Sequence, residues 1–99
     1  MTDATVTFEP RDNHIRIDLT GEVDMANADR IEQEMASAIT NDTMSVTVDV
    51  TELRYIDSTG LRVLASFAAR LRNINITFSL VAPATSPAGR VIELTGLNV

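Results

Sequence analysis

The sequence has no lysine, no cysteine and no tryptophan, and His14 is its one histidine. Each absence excludes a chemistry. Without cysteine there is no disulfide framework, thiol nucleophile or zinc cluster. Without lysine there is no Walker-type phosphate loop and no Schiff base. One imidazole can orient one base, but it cannot build a His-rich metal site. Aromatic residues make up 4% of the chain, so a core has to be mostly aliphatic. Acidic residues outnumber basic ones 14 to 8, every basic one is arginine, and the net charge is −6. That balance speaks against nucleic acid, where a basic stripe is expected, and suits a basic protein partner better. No apolar run approaches the ~20 residues of a membrane span. The opening Met1–Thr5 is neither basic nor apolar, so it does not read as a signal peptide. The chain reads as soluble and cytoplasmic. At 99 residues and 44% hydrophobic, it fits one small domain with a single core.

What is present is a pattern that switches between a period of two and one near 3.6. Val6 and Phe8 alternate with polar neighbours, as do Ile15, Ile17 and Leu19. The turn-forming stretch Pro10–Asn13 lies between them, which predicts an opening β-hairpin. Asp24 is placed to cap a helix over Met25–Ile39, with Met25, Ala28, Ile31, Met35 and Ala38 as its apolar stripe. Val46, Val48 and Val50 predict a third strand, and Thr51–Asp57 a short loop. Leu61, Leu64, Ala68 and Leu71 then stripe a second helix, with Phe67 beside them. Ile74, Ile76, Phe78 and Leu80 predict a fourth strand. Ser86 caps a short third helix with Pro87 at its first position, and Gly96 stops it. The order is β-β-α-β-α-β-α, an α/β domain with a mixed, mainly parallel sheet. Its strands alternate rather than forming continuous apolar runs, which places the helices mainly on one face and excludes a doubly wound nucleotide fold.

The segment from Val48 to Leu61 concentrates the chemistry. Asp57-Ser58-Thr59 puts two hydroxyls and a carboxylate at a helix start, where N–H groups lack partners and the helix dipole is positive. Such residues are most often plain caps. A phosphate on Ser58 would meet the same free donors. Gly60 is read as room for the close approach of another backbone or a kinase active site.

Three ordered segments resemble the STAS family, and more narrowly the bacterial anti-sigma factor antagonists. They are Leu19-Thr20-Gly21-Glu22-Val23-Asp24, then Asp49 through Leu64 with its Asp57-Ser58-Thr59-Gly60-Leu61 core, and Ser86 through Leu97. Together they span nearly the whole chain, so residues 1–99 read as one STAS-like domain with a four-stranded or five-stranded sheet. The resemblance implies a partner-switching cycle in transcription control, with no cofactor and no enzymatic activity. The unphosphorylated protein binds an anti-sigma factor that is also a serine kinase and so frees a sigma factor. Phosphorylation of Ser58 ends that binding, and a metal-dependent serine phosphatase restores it. The implied partner surface comprises Asp24, Asp57, Ser58, Thr59, Gly60, Leu61 and Arg62. The phosphate adds about −1.5 to −2 charge next to Asp57 and near Asp24, and the helix start tolerates it without a change of fold. Members of the family usually continue with a short strand and a final helix, whereas this sequence ends at Val99. The natural protein is then either unusually short or a domain cut from a longer chain. Either way Leu97 and Val99 lack that cover, and an exposed sheet edge would invite association, the expectation being a monomer or a weak homodimer.

Other residues have plainer readings. Asp24, Asp49 and Asp57 could suggest a metal or acid–base cluster, but capping and a strand end account for them better. His14 belongs at an exposed hairpin tip, far from Ser58, which leaves a Ser58 nucleophile without a base. Tyr55 and Ile56 are expected to pack beneath the loop, with contact to a partner as the alternative for Tyr55. Arg62 lies one turn into the second helix, either in a surface salt bridge or in contact with a kinase. A second functional reading is a STAS module of a transporter or signalling complex that binds partners without phosphorylation.

Overall fold

The structure is a computed structural model and describes residues 3–96. Strands β1 (Ala4–Arg11) and β2 (His14–Val23) form the antiparallel hairpin. Its turn is tighter than expected: Pro10 and Arg11 still pair with Ile15 and His14, leaving Asp12 and Asn13 to reverse the chain. Asp12 takes a left-handed φ of 54°, which a short polar side chain tolerates. Helix α1 (Ala28–Ser37), strand β3 (Ser45–Ile56), helix α2 (Ser58–Asn73), strand β4 (Thr77–Val81) and helix α3 (Pro87–Thr95) complete the predicted order. Leu97 and Val99 lie outside the described residues.

Among the described residues the sheet has four strands, ordered β1-β2-β3-β4, with β2, β3 and β4 mutually parallel. The parallel strands advance in one direction, so right-handed crossovers place α1 and α2 on the same face. The two helices do contact each other. Burial follows from this. Ile15, Ile17, Leu19, Gly21 and Val23 of β2 are buried, while the residues between them are half-exposed on the open face. The core is aliphatic apart from Phe67 and Phe78, whose rings meet edge to face at 6.2 Å.

Strand β3 differs from the prediction. The expected loop from Thr51 continues as strand to Ile56. Its alternation breaks because β3 shifts register twice against β2: Asp18 pairs with Asp49 but Thr20 with Glu52, and Gly21 pairs with Leu53 but Glu22 with Tyr55. Each shift is a bulge that inserts one residue and returns the next apolar side chain to the core. Val50, Leu53 and Ile56 are therefore all buried, although they are spaced by three. Asp49, expected at a strand end, sits inside β3 and supports the first bulge by accepting the Thr51 N–H at 2.8 Å. Tyr55, expected beneath a loop, is 52% exposed.

Helix α1 starts three residues later than expected, at Ala28. Asp24 is not its cap. Asp24 accepts the Ala26 N–H on its side chain and donates its own N–H to Asn27 Oδ1, while Asn27 Nδ2 donates to the Glu22 carbonyl. This closes residues 24–27 into a turn, and the Asn27 side chain is used there rather than for capping. Met25, assigned to the apolar stripe, rides on that turn and is 80% exposed. Ile74, assigned to the fourth strand, follows α2 as its C-cap and is also exposed. Helix α3 follows the expectation: Ser86 caps it, Pro87 opens it, and Gly96 ends it with a left-handed φ of 70°.

Candidate functional site

The ends of β2 and β3 build the site. Val23 pairs with Ile56, and the Val23 carbonyl accepts the Asp57 N–H at 3.2 Å. The next residue on each strand is an aspartate, so the fold brings Asp24 and Asp57 to one end of the sheet beside the start of α2. Asp57 is the N-cap: its backbone is extended, and its Oδ1 accepts the Gly60 N–H at 3.0 Å. Leu61 N–H then bonds the Asp57 carbonyl and begins the helix.

This arrangement leaves Ser58 at the first helical position, exposed, with no hydrogen bond from its hydroxyl among the described residues. Ser86, at the start of α3, is the internal contrast. It is 6% exposed, donates to the Pro83 carbonyl and accepts the Gly89 N–H. The two helix starts superpose in sequence as Asp57-Ser58-Thr59-Gly60 and Ser86-Pro87-Ala88-Gly89. In the second the serine is the cap. In the first the aspartate caps, and the serine stands in the place of the proline.

Thr59 is half-buried, while Gly60 and Leu61 are buried beneath the first turn. The reason for Gly60 lies within the chain. A Cβ there would come within 2.6 Å of Ile56 Cγ1 and 3.0 Å of Val23 Cγ1. The space the sequence suggested for an incoming backbone is thus already occupied by the chain's own core. Arg62 is exposed and makes no ion pair among the described residues. With Asp29, Glu32, Val63 and Ser66 it lines a shallow depression of about 100 Å³ between α1 and α2.

The remaining candidates do not join the site. His14 pairs with Ser45 at the opposite end of β2 and β3, where its Nδ1 lies 2.6 Å from Ser45 Oγ. Asp49 belongs to the open face of the sheet, where Arg16 bridges it to Asp18. Partial burial alone would raise the Asp49 carboxyl. Hydrogen bonds from Thr51 and the charge and hydrogen bond of Arg16 outweigh burial and hold it below its ordinary value. No group of three or more His, Cys, Asp or Glu among the described residues could hold a metal ion. No helix among them is long and apolar enough to cross a membrane.

Sequence reasoning missed the exposure of Met25; Tyr55, read as packing or as reaching a partner, is exposed as well, and the two lie close along the chain to Asp24 and Asp57. The signal for Tyr55 was the interrupted alternation after Val50. For Met25 it was the Asp24–Asn27 pair of turn-forming side chains.

This topology, with an Asp-Ser motif at the start of α2, defines a class of small α/β domain. The family model described as "Mlab, STAS domain" matches residues 6–99, and the chain belongs to the STAS domain family. It is 28% identical over 95 residues to the anti-sigma-B factor antagonist of Listeria monocytogenes, covering 95% of this chain and 82% of that protein. It is 35% identical over 69 residues to BtrV of Bordetella bronchiseptica, described as an anti-sigma factor antagonist. That match takes in 70% of this chain and spans 60% of the length of BtrV. Among solved structures, an anti-sigma factor antagonist from Mycobacterium paratuberculosis superposes with a TM-score of 0.81 at 28% identity. The superposition covers 95% of this chain and 79% of that one. All three are described as antagonists of anti-sigma factors.

Proposed function

We propose that this protein is a bacterial, cytoplasmic anti-sigma factor antagonist switched by phosphorylation at Ser58. Unphosphorylated, it binds an anti-sigma factor that is also a serine kinase and so releases a sigma factor. The kinase transfers the γ-phosphoryl group of ATP to Ser58 Oγ; the hydroxyl proton leaves and ADP is released. A serine phosphatase hydrolyses the ester and resets the cycle. The observation that carries this reading is the division of labour at the start of α2: Asp57 caps, so the Ser58 hydroxyl is exposed and uncommitted. Asp24, Asp57, Ser58, Thr59 and Arg62 form the partner surface, while Gly60 and Leu61 hold the first turn in place beneath it.

The switch is local. A partner packed against Ser58 meets a neutral hydroxyl in one state and a solvated dianion beside two aspartates in the other. Losing a packed polar contact in this way costs about 1–3 kcal/mol, enough to exchange partners of similar affinity. The test is incubation with an anti-sigma-type serine kinase and ATP, followed by mass mapping. One phosphate on Ser58, absent from Ser58→Ala, is the expected result. No incorporation with any genomically adjacent kinase would favour a STAS module that works without phosphorylation. Ser58→Asp is expected to bind the kinase far more weakly than wild type, and equal binding would contradict the local switch.

A further inference from the structure

We propose that Arg62 is the intramolecular partner of a phosphate on Ser58, a positioning residue that clamps the phosphorylated state. The inference rests on Ser58 as the acceptor and adds a role for a second residue of the same helix. Ser58 is the first residue of α2, and Arg62 lies four residues on, within the same unbroken helix. Residues at this spacing are neighbours on a helix surface, with Cβ atoms about 6 Å apart. Helical side chains lean toward the N-terminus, so a side chain as long as that of position 62 has the turn that carries position 58 within reach. An acid at i with a base at i+4 is the favourable order, because each charge then also faces the complementary end of the helix dipole.

The guanidinium has no competing commitment. Arg11, Arg16 and Arg30 are held in ion pairs, whereas Arg62 makes none among the described residues. Arg62 is also the only cationic residue lining its depression, whose two carboxylates, Asp29 and Glu32, lie on α1 without reaching ion-pair distance. A phosphate with three acceptor oxygens and a charge of about −1.5 to −2 outcompetes either singly charged carboxylate for the guanidinium. Among the described residues, a phosphate on Ser58 also stands near Asp57, whose Oδ1 is engaged with Gly60 N–H, and Asp24 at the end of β2. Both disfavour the dianion, whereas Arg62 favours it. Phosphorylation then does two things at once: it adds negative charge at position 58 and withdraws a cation from the surface presented to a partner.

The test uses the full chain with phosphoserine installed at position 58 by genetic encoding, so it does not depend on any kinase. The phosphate is titrated by phosphorus NMR in wild type, Arg62→Gln and Arg62→Lys. The expected result is a second phosphate pKa about 0.3 unit or more higher in Arg62→Gln than in wild type, with Arg62→Lys between them. In wild type, the Arg62 Nε–H resonance is expected to shift on phosphorylation. Equal phosphate pKa values in wild type and Arg62→Gln, with an unmoved Arg62 resonance, would overturn the proposal. Position 62 is exposed, and an amide spectrum of each variant confirms that the fold is retained. A kinase that ignores Ser58 would defeat the acceptor reading and leave this titration unaffected, so the two failures are distinguishable.

Discussion

Asp57 and Ser58 divide two tasks that a helix-start serine often combines. Asp57 satisfies the Gly60 N–H, and the Ser58 hydroxyl is left exposed with no hydrogen bond among the described residues. The two residues should therefore differ sharply in their effect on stability. Asp57→Ala removes the cap and is expected to cost about 1 kcal/mol, while Asp57→Ser restores most of it. Ser58→Ala is expected to stay within about 0.5 kcal/mol of wild type, as an exposed residue without partners should. Urea denaturation of the three variants checks both statements. Gly60 offers the opposite case. Alanine is the better helix former, but its Cβ would meet Ile56 Cγ1 at 2.6 Å. Gly60→Ala is expected to destabilise by about 1–3 kcal/mol, read in the same denaturation curves. A neutral or stabilising Gly60→Ala would show that the first turn of α2 slides freely over the strand ends.

At the scale of elements, β3 depends on Asp49 for both its bulge and its charge. Asp18 and Asp49 face each other across β2 and β3, a repulsive pair that Arg16 neutralises. The Asp49 carboxyl is held below its ordinary value of 3.8 in the folded chain. A depressed folded pKa contributes stability above the unfolded value, and that stability is lost as pH falls through the folded one. Asp49→Asn keeps an acceptor for Thr51 N–H and removes only the charge. At pH 7 it is expected to be less stable than wild type by about 1 kcal/mol or less, since Arg16 is partly exposed. Well below pH 3.8 the two proteins should converge, and denaturant midpoints at the two pH values test this. The elements that were legible in the sequence are those with unbroken periodicity. Helix α2 and strand β2 as far as Thr20 needed only alternation and a stripe, and α3 carried its own start and stop residues, but the last residues of β2, Gly21–Val23, read from the sequence as a break in the strand. The second half of β3 was not legible, because a bulge looks like a loop to a rule that counts every second residue. The start of α1 was misread for a related reason: Asp24 has the chemistry of a cap, and only Asn27 and the Glu22 carbonyl show that it is spent on a turn. At the site, Ser58 and Asp57 were legible from the motif. The burial of Gly60 and Leu61 was not, since it depends on where Val23 and Ile56 lie in space.

For the whole molecule, the proposed phosphorylation of Ser58 would take the net charge from −6 to about −8. The added charge falls at an exposed end of the fold, away from the core that Phe67, Leu64 and Ile17 fill. The phosphorylated chain is therefore expected to keep its circular dichroism spectrum, with amide shifts confined to residues near Ser58, the Asp24 turn and Arg62. Shifts spread through β1 and the hairpin would point instead to a global rearrangement. The two register shifts of β3 also show how this fold absorbs a change of chain length. Each bulge takes up one residue of β3 that has no partner on β2, and the residues beyond it keep their facing, so Ile56 still pairs with Val23. Removing the extra residue of one bulge would restore a regular ladder there and leave Ile56 in the core and Ser58 exposed. Chain length between the core of β3 and the start of α2 can thus change one residue at a time, because a bulge takes up the difference that side-chain alternation cannot.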